Sequence, residues 1–451
     1  MSFVDKDVYN NFIHPPPTFT FLNICPLTTE QLYQLYRQHP SVQTDTRKLL
    51  PGDLFFAISG PNFNGNAFAQ KALDSGAAYA IVDEAMDENN DRIIKVENVL
   101  ETLQMLARHH RETFNIPFIA ITGSNGKTTT KELVNVVLGS QYATYTTEGN
   151  LNNHIGVPLT ILKIKDDAEM AVIEMGANHQ KEIAGYCMYA QPTHGIITNC
   201  GKAHLEGFGG VEGVRKGKGE LFDYLRQHNG TAIIFSDYDY LHTMSSGIEK
   251  ILTYGTTNAD VAGKSLHANT FLKVEWTSED IVINTQLVGD YNLPNVLCAV
   301  SIGHHFHVPV KKIATAIEAY TPDNSRSQML VKGSNHIILD AYNANPSSMK
   351  VAIENMAHIA SANKILMLGG MMEMGEDSLA EHEAIVALIN QYNWQQVVLV
   401  GGDFAKVKHG FLYFDNSVKA AKWAAQQGFA NSYILIKGSR SVKMEVIVGE
   451  L

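Results

Sequence analysis

The residues of this 451-residue chain best suited to chemistry lie in Ile119-Ala-Ile-Thr-Gly-Ser-Asn-Gly-Lys-Thr-Thr-Thr-Lys131. An apolar run ends in a glycine-rich turn, then a lysine, three threonines and a helix-like stretch (131–138) follow. This order suits a phosphate-binding loop. Gly123 and Gly126, with Ser124 and Asn125 between them, let backbone N–H groups approach phosphate oxygens. The helix start adds partial positive charge, Lys127 neutralises phosphate, and the Thr128 hydroxyl, with Thr129 beside it, can ligate Mg²⁺. The chemistry expected is that of a nucleoside triphosphate. The usual loop has four residues between its first glycine and Gly-Lys, whereas only Ser124 and Asn125 stand there in this chain. A tight strand-to-helix connection is the alternative reading.

Further candidates sit at the ends of other apolar runs. Glu174 closes Ala171-Val-Ile-Glu. A carboxylate beside a phosphate loop is a natural Mg²⁺ ligand, because Mg²⁺ prefers hard oxygen donors and bridges to phosphates; alternatively it caps a turn. His204 follows another such run in Asn199-Cys-Gly-Lys-Ala-His, but Mg²⁺ rarely takes imidazole, so ligand and structural roles both stay open. Lys216 and Lys218, in Arg215-Lys-Gly-Lys-Gly-Glu, read as a basic turn or a phosphate contact. Asn150, Asn152 and Asn153 crowd an amide-rich turn. Asn292 and Asn295, spaced i and i+3, share one side of a helix start and could meet an adenine edge or cap the helix.

Positioning these groups requires several domains, because domains of about 100–200 residues divide a chain of this length into two to four. Residues 1–99 are expected to form a small α/β domain with strands near 53–59 and 78–82, a helix at 67–75 and an acidic surface loop at 83–91. Residues 100–320 alternate apolar runs (118–122, 171–174, 195–198, 232–235) with helical stretches, which predicts a mostly parallel sheet covered on both faces. From Asp290 one helix is expected to carry the chain toward 318, and 321–325 reads as a turn-rich linker. Residues 321–451 repeat the pattern with runs at 336–340, 364–368, 396–400 and 433–436, a doubly wound arrangement that holds ligands at the carboxyl ends of its strands. Asp340, Tyr342, Asn343, Asn345, Lys437, Ser439 and Arg440 fall at such ends, and Arg326 lies at the joint, where it reads as a phosphate contact on closure or a surface arginine.

A composition of 45% hydrophobic and 18% charged residues is that of a soluble globular protein. A net charge of −11 argues against broad nucleic-acid binding, which needs a dominant basic surface. Four cysteines far apart form no metal-ligand spacing or disulfide framework. The start, Met1-Ser-Phe-Val-Asp-Lys-Asp, lacks the basic and apolar regions of a signal peptide, and no run reaches the 18 apolar residues of a membrane helix. A cytoplasmic chain without membrane insertion is expected.

The compressed loop Thr122-Gly-Ser-Asn-Gly-Lys-Thr-Thr resembles that of the Mur ligases, and the likeness extends along nearly the whole chain. It includes Thr44-Asp-Thr-Arg-Lys-Leu-Leu-Pro-Gly-Asp-Leu-Phe, Glu148-Gly-Asn-Leu-Asn-Asn-His-Ile-Gly-Val-Pro, Glu174-Met-Gly-Ala-Asn-His-Gln-Lys-Glu-Ile, Ala203-His-Leu-Glu-Gly-Phe-Gly, Asp340-Ala-Tyr-Asn-Ala-Asn-Pro, Met374-Gly-Glu and Lys437-Gly-Ser-Arg-Ser.

The resemblance implies three α/β domains, with a central ATP-binding sheet of P-loop type and a C-terminal Rossmann-like domain for an incoming dipeptide. It implies an ATP-dependent ligase that forms an amide through an acyl phosphate. The partners implied are UDP-N-acetylmuramoyl-tripeptide and D-alanyl-D-alanine, acted on by a monomer. Thr44, Asp45, Thr46 and Arg47 would lie at the uridine nucleotide. Asn150, Asn152, Asn153, Tyr342, Asn343, Asn345, Lys437, Ser439 and Arg440 would contact substrate. Residues 123–129, Asn292, Asn295, Arg326 and Asp340 would contact nucleotide. Thr128, Glu174, His204 and Lys218, the last as a carbamate formed with CO₂, would hold Mg²⁺, and Lys127, Glu174, His204, Lys218 and Arg326 would serve catalysis. Two departures stand out: Ser325 replaces the usual glycine before the hinge arginine, and Gly369-Gly-Met-Met-Glu-Met-Gly-Glu lacks an aspartate that often follows the first glycine.

The alternatives are the sibling ligase that adds the third residue to UDP-N-acetylmuramoyl-dipeptide, folylpolyglutamate synthetase, and a nucleotide-dependent scaffold that has lost the chemistry. The first typically carries an Asp-Asn-Pro-Arg segment, which this chain lacks.

Overall fold

The computed structural model describes residues 28–86, 90–266 and 270–451. The Met1–Asp7 start, Cys25 and the middle of the acidic stretch 83–91 lie outside the described residues. The chain divides into two compact units, residues 1–102 and 103–451.

In the first unit, β1 (Val42–Gln43), β2 (Leu54–Phe56), β3 (Tyr79–Val82) and β4 (Ile93–Lys95) form a parallel sheet in that order. Its core packs Phe55, Ala80 and Val82 against Ala69, Ala72 and Leu73 of the helix Ala69–Asp74. The helix expected at 67–75 starts with a 3-10 turn, Asn66–Phe68.

The second unit contains two sheets. The larger comprises β5 (Phe118–Thr122), β6 (Thr144–Thr146), β7 (Met170–Glu174), β8 (His194–Ile197), β9 (Thr231–Phe235), β10 (Lys250–Gly255), β11 (Val261–Ser265), β12 (Phe271–Trp276) and β13 (Ile281–Val288). Its order is β13-β12-β11-β10-β9-β8-β5-β7-β6. The pairs from β6 to β11 are parallel, and β11, β12 and β13 turn back antiparallel. Strands β5, β7 and β9 are buried throughout, as their unbroken apolar runs require in a sheet covered on both faces. Three helices matter for the site: α1 (Lys127–Gly139), α2 (Val211–Gln227) and α3 (Leu293–His305).

The expected helix from Asp290 toward 318 is two helices. A 3-10 turn, Asp290–Asn292, leads into α3, and α4 (Val310–Ala319) begins after a break. Pro309 lacks the N–H and forces the break, and His307 adopts a left-handed φ of 58° within it.

The last sheet has the order β14-β15-β19-β16-β17-β18. These are β14 (Gln328–Lys332), β15 (Asn335–Asp340), β16 (Lys364–Gly369), β17 (Gln396–Val400), β18 (Leu412–Phe414) and β19 (Tyr433–Lys437), with helix α5 (Pro346–His358) after β15. All neighbours are parallel except the β14–β15 hairpin. Alternate inward residues Ile337, Ile365, Met367, Val398, Ile434 and Ile436 meet Ala420, Ala421 and Ala424 in one core.

No helix among the described residues is long and apolar enough to cross a membrane. Cys187, Cys200 and Cys298 are free and buried.

Candidate active site

The phosphate-loop candidate occupies the turn between β5 and α1, and crowding explains its glycines. A Cβ on Gly123 would lie 2.0 Å from Thr198 Oγ1, and one on Gly126 would lie 2.6 Å from Asn295 Oδ1. Both glycines also hold positive φ, 142° and 82°, which side-chain-bearing residues rarely adopt. The end of β8 braces the loop. The Ser124 N–H donates to the Asn199 carbonyl (2.9 Å), the Asn125 N–H to Asn199 Oδ1 (3.0 Å), and Thr198 Oγ1 to the Asn125 carbonyl (2.6 Å). The first N–H groups of α1 then have no intrahelical acceptor, as at every helix start, and their partial positive charge faces the cavity.

Around this loop opens a cavity of about 620 Å³. Its wall includes Ser124–Lys127, Thr129, Asn150, Asn152, Asn153, Glu174, His204, Asn292, Asn295, Arg326, Asp340, Tyr342, Asn343, Asn345 and Lys437. The two sheets of the second unit thus send their strand ends into one space. Asn125 and Asn345 exchange a side-chain hydrogen bond (2.8 Å), while Asn345 also caps α5.

Glu174 is the most telling group. It is 1% exposed. Its Oε1 accepts from Thr128 Oγ1 (3.1 Å) and Asn152 Nδ2 (2.7 Å). Its Oε2 is buried with no hydrogen-bond partner. A buried orphaned carboxylate oxygen is costly unless something occupies the adjacent space, and a hard divalent cation fits it. Among the described residues no three His, Cys, Asp or Glu side chains gather as a metal cluster, so such an ion would draw its other ligands from elsewhere.

Lys127 and Arg326 line the cavity with this carboxylate, whereas Lys218 does not. Lys127 Nζ folds back to the Gly123 carbonyl (2.6 Å). Its pKa is lowered to about 8 by burial, with Arg326 adding to the shift and Glu174 opposing it. Lys218 is 1% exposed, on α2, and donates to the Ala177 carbonyl (3.0 Å) above the Phe208 ring. Burial, and then the charge of Lys127, pushes it down to about 7. Arg326 stacks on Tyr342 at 3.7 Å, and its Nε is buried without a partner. Arg440 approaches the same ring at 5.8 Å and pairs with Glu445.

The remaining expected residues are placed as follows. Asp340 and Lys437 are register neighbours on β15 and β19 and form an ion pair of 2.6 Å, with Lys437 almost wholly buried. Ser439 Oγ donates to the Ala344 carbonyl and accepts from the Met372 N–H. Asn292 and Asn295 are buried and bonded to each other (2.8 Å), and Asn295 accepts from Thr130. Neither side chain caps α3. Asn153 accepts from the N–H groups of Ile155 and Gly156, and Asn150 is exposed. His204 pairs through Nδ1 with Glu373. Lys216 does not line the cavity. In the first unit, Asp45 and the exposed Arg47 form a bidentate pair (2.7 and 2.9 Å), and Arg47 holds the Asp45 carboxyl down near 2; Thr44 and Thr46 flank it, partly buried.

Three family models match: the Mur ligase family catalytic domain over 40–111, the Mur ligase middle domain over 121–303, and the Mur ligase glutamate ligase domain over 325–440. The UDP-N-acetylmuramoyl-tripeptide–D-alanyl-D-alanine ligase of Bacillus subtilis is 33% identical over 91% of this chain and 92% of its own length. The chain belongs to the Mur ligase family.

Among solved structures, MurF from Acinetobacter baumannii aligns with a TM-score of 0.84 and 27% identity, covering 95% of this chain and 99% of that one. MurF ligase from Thermotoga maritima, solved with ADP, aligns at 0.82 and 27% identity, covering 92% and 97%. Membership clarifies the Ser325 departure. Ser325 holds φ 57° and Ser327 holds φ 50°, so Arg326 is presented from a backbone bend that glycine would enter without strain.

Sequence reasoning did not single out Asn199, Thr198, Glu373, Tyr238, Tyr240 or Tyr291. The position of Thr198 and Asn199 at the end of β8, next to β5, was the available signal. The tyrosines of the cavity wall carried none.

Lys218 yields a prediction on stability. Its folded pKa of about 7 lies below its ordinary 10.5, so the unfolded chain binds more protons between those values and stability rises with pH there. Replacing Lys218 by Met removes the group. Lys218→Met is therefore expected to melt above the parent chain near pH 7, the gap closing as the pH approaches 10.5. Melting curves in CO₂-free buffer check this. A gap independent of pH would contradict a depressed lysine.

Proposed function

We propose that this Mur ligase uses ATP to join D-alanyl-D-alanine to UDP-N-acetylmuramoyl-tripeptide, giving ADP, phosphate and the UDP-N-acetylmuramoyl-pentapeptide of peptidoglycan synthesis. The observation that carries the reading is the single cavity in which the phosphate loop, Glu174 and Arg326 meet the strand ends of the last sheet. The B. subtilis ligase, similar over nearly the full chain, is named for this reaction. ATP use is further supported by the ADP complex of the T. maritima neighbour.

The reaction sets two carboxyl-derived problems in sequence. The terminal carboxylate of the tripeptide attacks the γ-phosphorus of ATP, ADP leaves, and an acyl phosphate remains. The dipeptide amine then attacks the carbonyl carbon, and phosphate departs from the tetrahedral adduct. The first step brings anion to anion, so cationic groups must offset the repulsion. Lys127 and the start of α1 would face the β- and γ-phosphates. Arg326, half-buried with an unused Nε, would clamp the transferring group. The acyl phosphate hydrolyses readily, and closure of the last sheet over the cavity would exclude water.

Mg²⁺ suits the orphaned Glu174 Oε2, with Thr128 alongside and His204 and Lys218 completing the set. When bound it would neutralise the triphosphate oxygens. An ammonium cannot ligate a cation, whereas a carbamate can. Lys218, pushed down to about 7 by burial, keeps a large neutral-amine fraction near physiological pH, and the neutral amine is the form that takes up CO₂. Asn292 and Asn295 are proposed at the adenine edge and Asp340 at the nucleotide. Asn150, Asn152 and Asn153 would contact the tripeptide. Tyr342, Asn343, Asn345, Lys437, Ser439 and Arg440 would contact the dipeptide and the tripeptide terminus. Thr44–Arg47 would meet the uridine nucleotide, within an N-terminal domain of residues 1–99; residues 100–320 would bind ATP and 321–451 the dipeptide. All these groups come from one chain, which suits a monomer, and ATP with a nucleotide-linked precursor suits the cytoplasm.

Phosphate release with ATP, Mg²⁺ and UDP-N-acetylmuramoyl-tripeptide is expected to require D-alanyl-D-alanine, with a product heavier by the dipeptide minus water. Release with a single diamino acid and the dipeptide precursor instead would move the chain to the sibling activity. Lys127→Ala is expected to lower turnover roughly 10³-fold, as for loss of a charge aimed at the transferring phosphoryl group; turnover close to that of the parent chain would remove Lys127 from the mechanism. Lys218→Ala is expected to be nearly inactive and to regain turnover with added short carboxylic acids. No rescue, together with an unmodified lysine by mass spectrometry of the native protein, would count against the carbamate.

A further inference from the structure

The loop after β16 reaches from the last sheet to the end of β8 on the central sheet. Glu373 on that loop meets His204 Nδ1. Both residues hold left-handed backbone, φ 61° and 52°, a region that L side chains enter rarely. The loop is not free to drift. His382, fully buried, accepts the Met371 N–H at Nε2 (3.0 Å), and its Nδ1 bonds the Ser378 carbonyl (2.7 Å). The Met372 N–H donates to Ser439 Oγ. On the central side, Lys202 pairs with Glu381 (2.5 Å), and the Lys202 N–H donates to Ser347 Oγ (3.1 Å). Two side-chain pairs and one backbone N–H bond therefore join the segment that carries His204 to the last sheet.

Imidazole has two nitrogens, and the partner of one decides the role of the other. In a neutral ring a carboxylate at Nδ1 holds the proton there and leaves Nε2 with the lone pair. His204 lines the cavity, so the ring is set to offer that lone pair to a ligand. A histidine that ligates a metal usually donates its other N–H to a carboxylate or carbonyl in this manner.

We infer that Glu373 is a positioning residue that orients His204 as a cation ligand, so that the cation site is completed only when the last sheet is seated against the central one. The inference rests on the proposed role of His204 at the cation. It adds a coupling absent from a fixed ligand set: the domain that receives the dipeptide supplies the group that finishes the site at the triphosphate. Seating of the last sheet and cation affinity are then linked, and each strengthens the other.

The test uses the full chain with ADP and Mn²⁺ as the probe, the free ion being read by electron paramagnetic resonance. Glu373→Ala is expected to weaken Mn²⁺ binding about 10–100-fold, the range for loss of a partner behind a metal ligand. Glu373→Gln keeps an oxygen that can accept the Nδ1 proton and is expected to stay within about threefold of the parent chain, which a role in charge alone would not allow. Glu381→Ala removes the neighbouring pair but leaves the His204 contact and is expected to change Mn²⁺ affinity least. His204→Ala separates the two layers of the argument. If His204→Ala weakens Mn²⁺ binding and Glu373→Ala does not, the positioning role is overturned. If His204→Ala itself leaves Mn²⁺ binding unchanged, His204 is no ligand and the inference falls with that role. Glu373 is exposed, so neither of its variants removes a core contact, and a melting curve checks each.

Discussion

Withdrawing several like charges from water around one carboxylate is the constraint on which this structure depends. Burial lowers Lys127 to about 8, with Arg326 adding to the shift and Glu174 opposing it, and lowers Lys218, which does not line the cavity, to about 7, with Lys127 adding to that shift. Glu174 keeps one buried oxygen without a partner in that cavity, which is costly in a medium of low dielectric. An anion beside the lysine and a hard cation beside the free oxygen would each lower that cost. Two residues of one type are thus pushed down to different extents, Lys218 further than Lys127, by burial and by the charge of Lys127.

The scaffold meets this constraint through strand ends. β5, β7 and β8 are adjacent and parallel, so the glycine-rich loop, Glu174 and the Asn199–His204 segment emerge from the same edge of the central sheet. β15 and β19 are adjacent in the last sheet, and their ends bring Asp340 and Lys437 to the same cavity. Ligand binding at the carboxyl ends of parallel strands is the general behaviour of such sheets. Here two sheets apply it to one space, and the Asn125–Asn345 contact ties the phosphate loop directly to the last sheet.

Much of this was legible because buried parallel strands are apolar along their whole length. The run Phe118–Thr122 coincides with β5, and the runs at 171–174, 232–235, 396–400 and 433–436 fall within a residue of the observed bounds. The antiparallel extension β11–β13 escaped notice. Its last strand alternates buried and exposed residues, so it offers no continuous apolar run, and its role is to lengthen the sheet rather than to hold a ligand. The helix expected from Asp290 toward 318 ran through Pro309, because apolar residues continue on both sides of the break. Glu373 was within reach only as one of several acidic residues in a methionine-rich loop; nothing local says that it will meet a histidine 169 positions away.

By itself the sequence determined the glycine-rich loop, the positions of the sheets' main strands along the chain and the family. Each of these depends on residues close together in the chain: two glycines and a lysine at a strand-to-helix turn, apolar runs at fixed intervals, and short motifs. Only the tertiary structure decided which charges share a cavity, which lysine is pushed down furthest, and that one oxygen of Glu174 is left without a partner. Those properties come from burial and from distances among positions 127, 174, 218 and 326, which lie far apart along the chain. Electrostatic energies depend on separation in space and on the surrounding dielectric, and neither is written in the order of the residues.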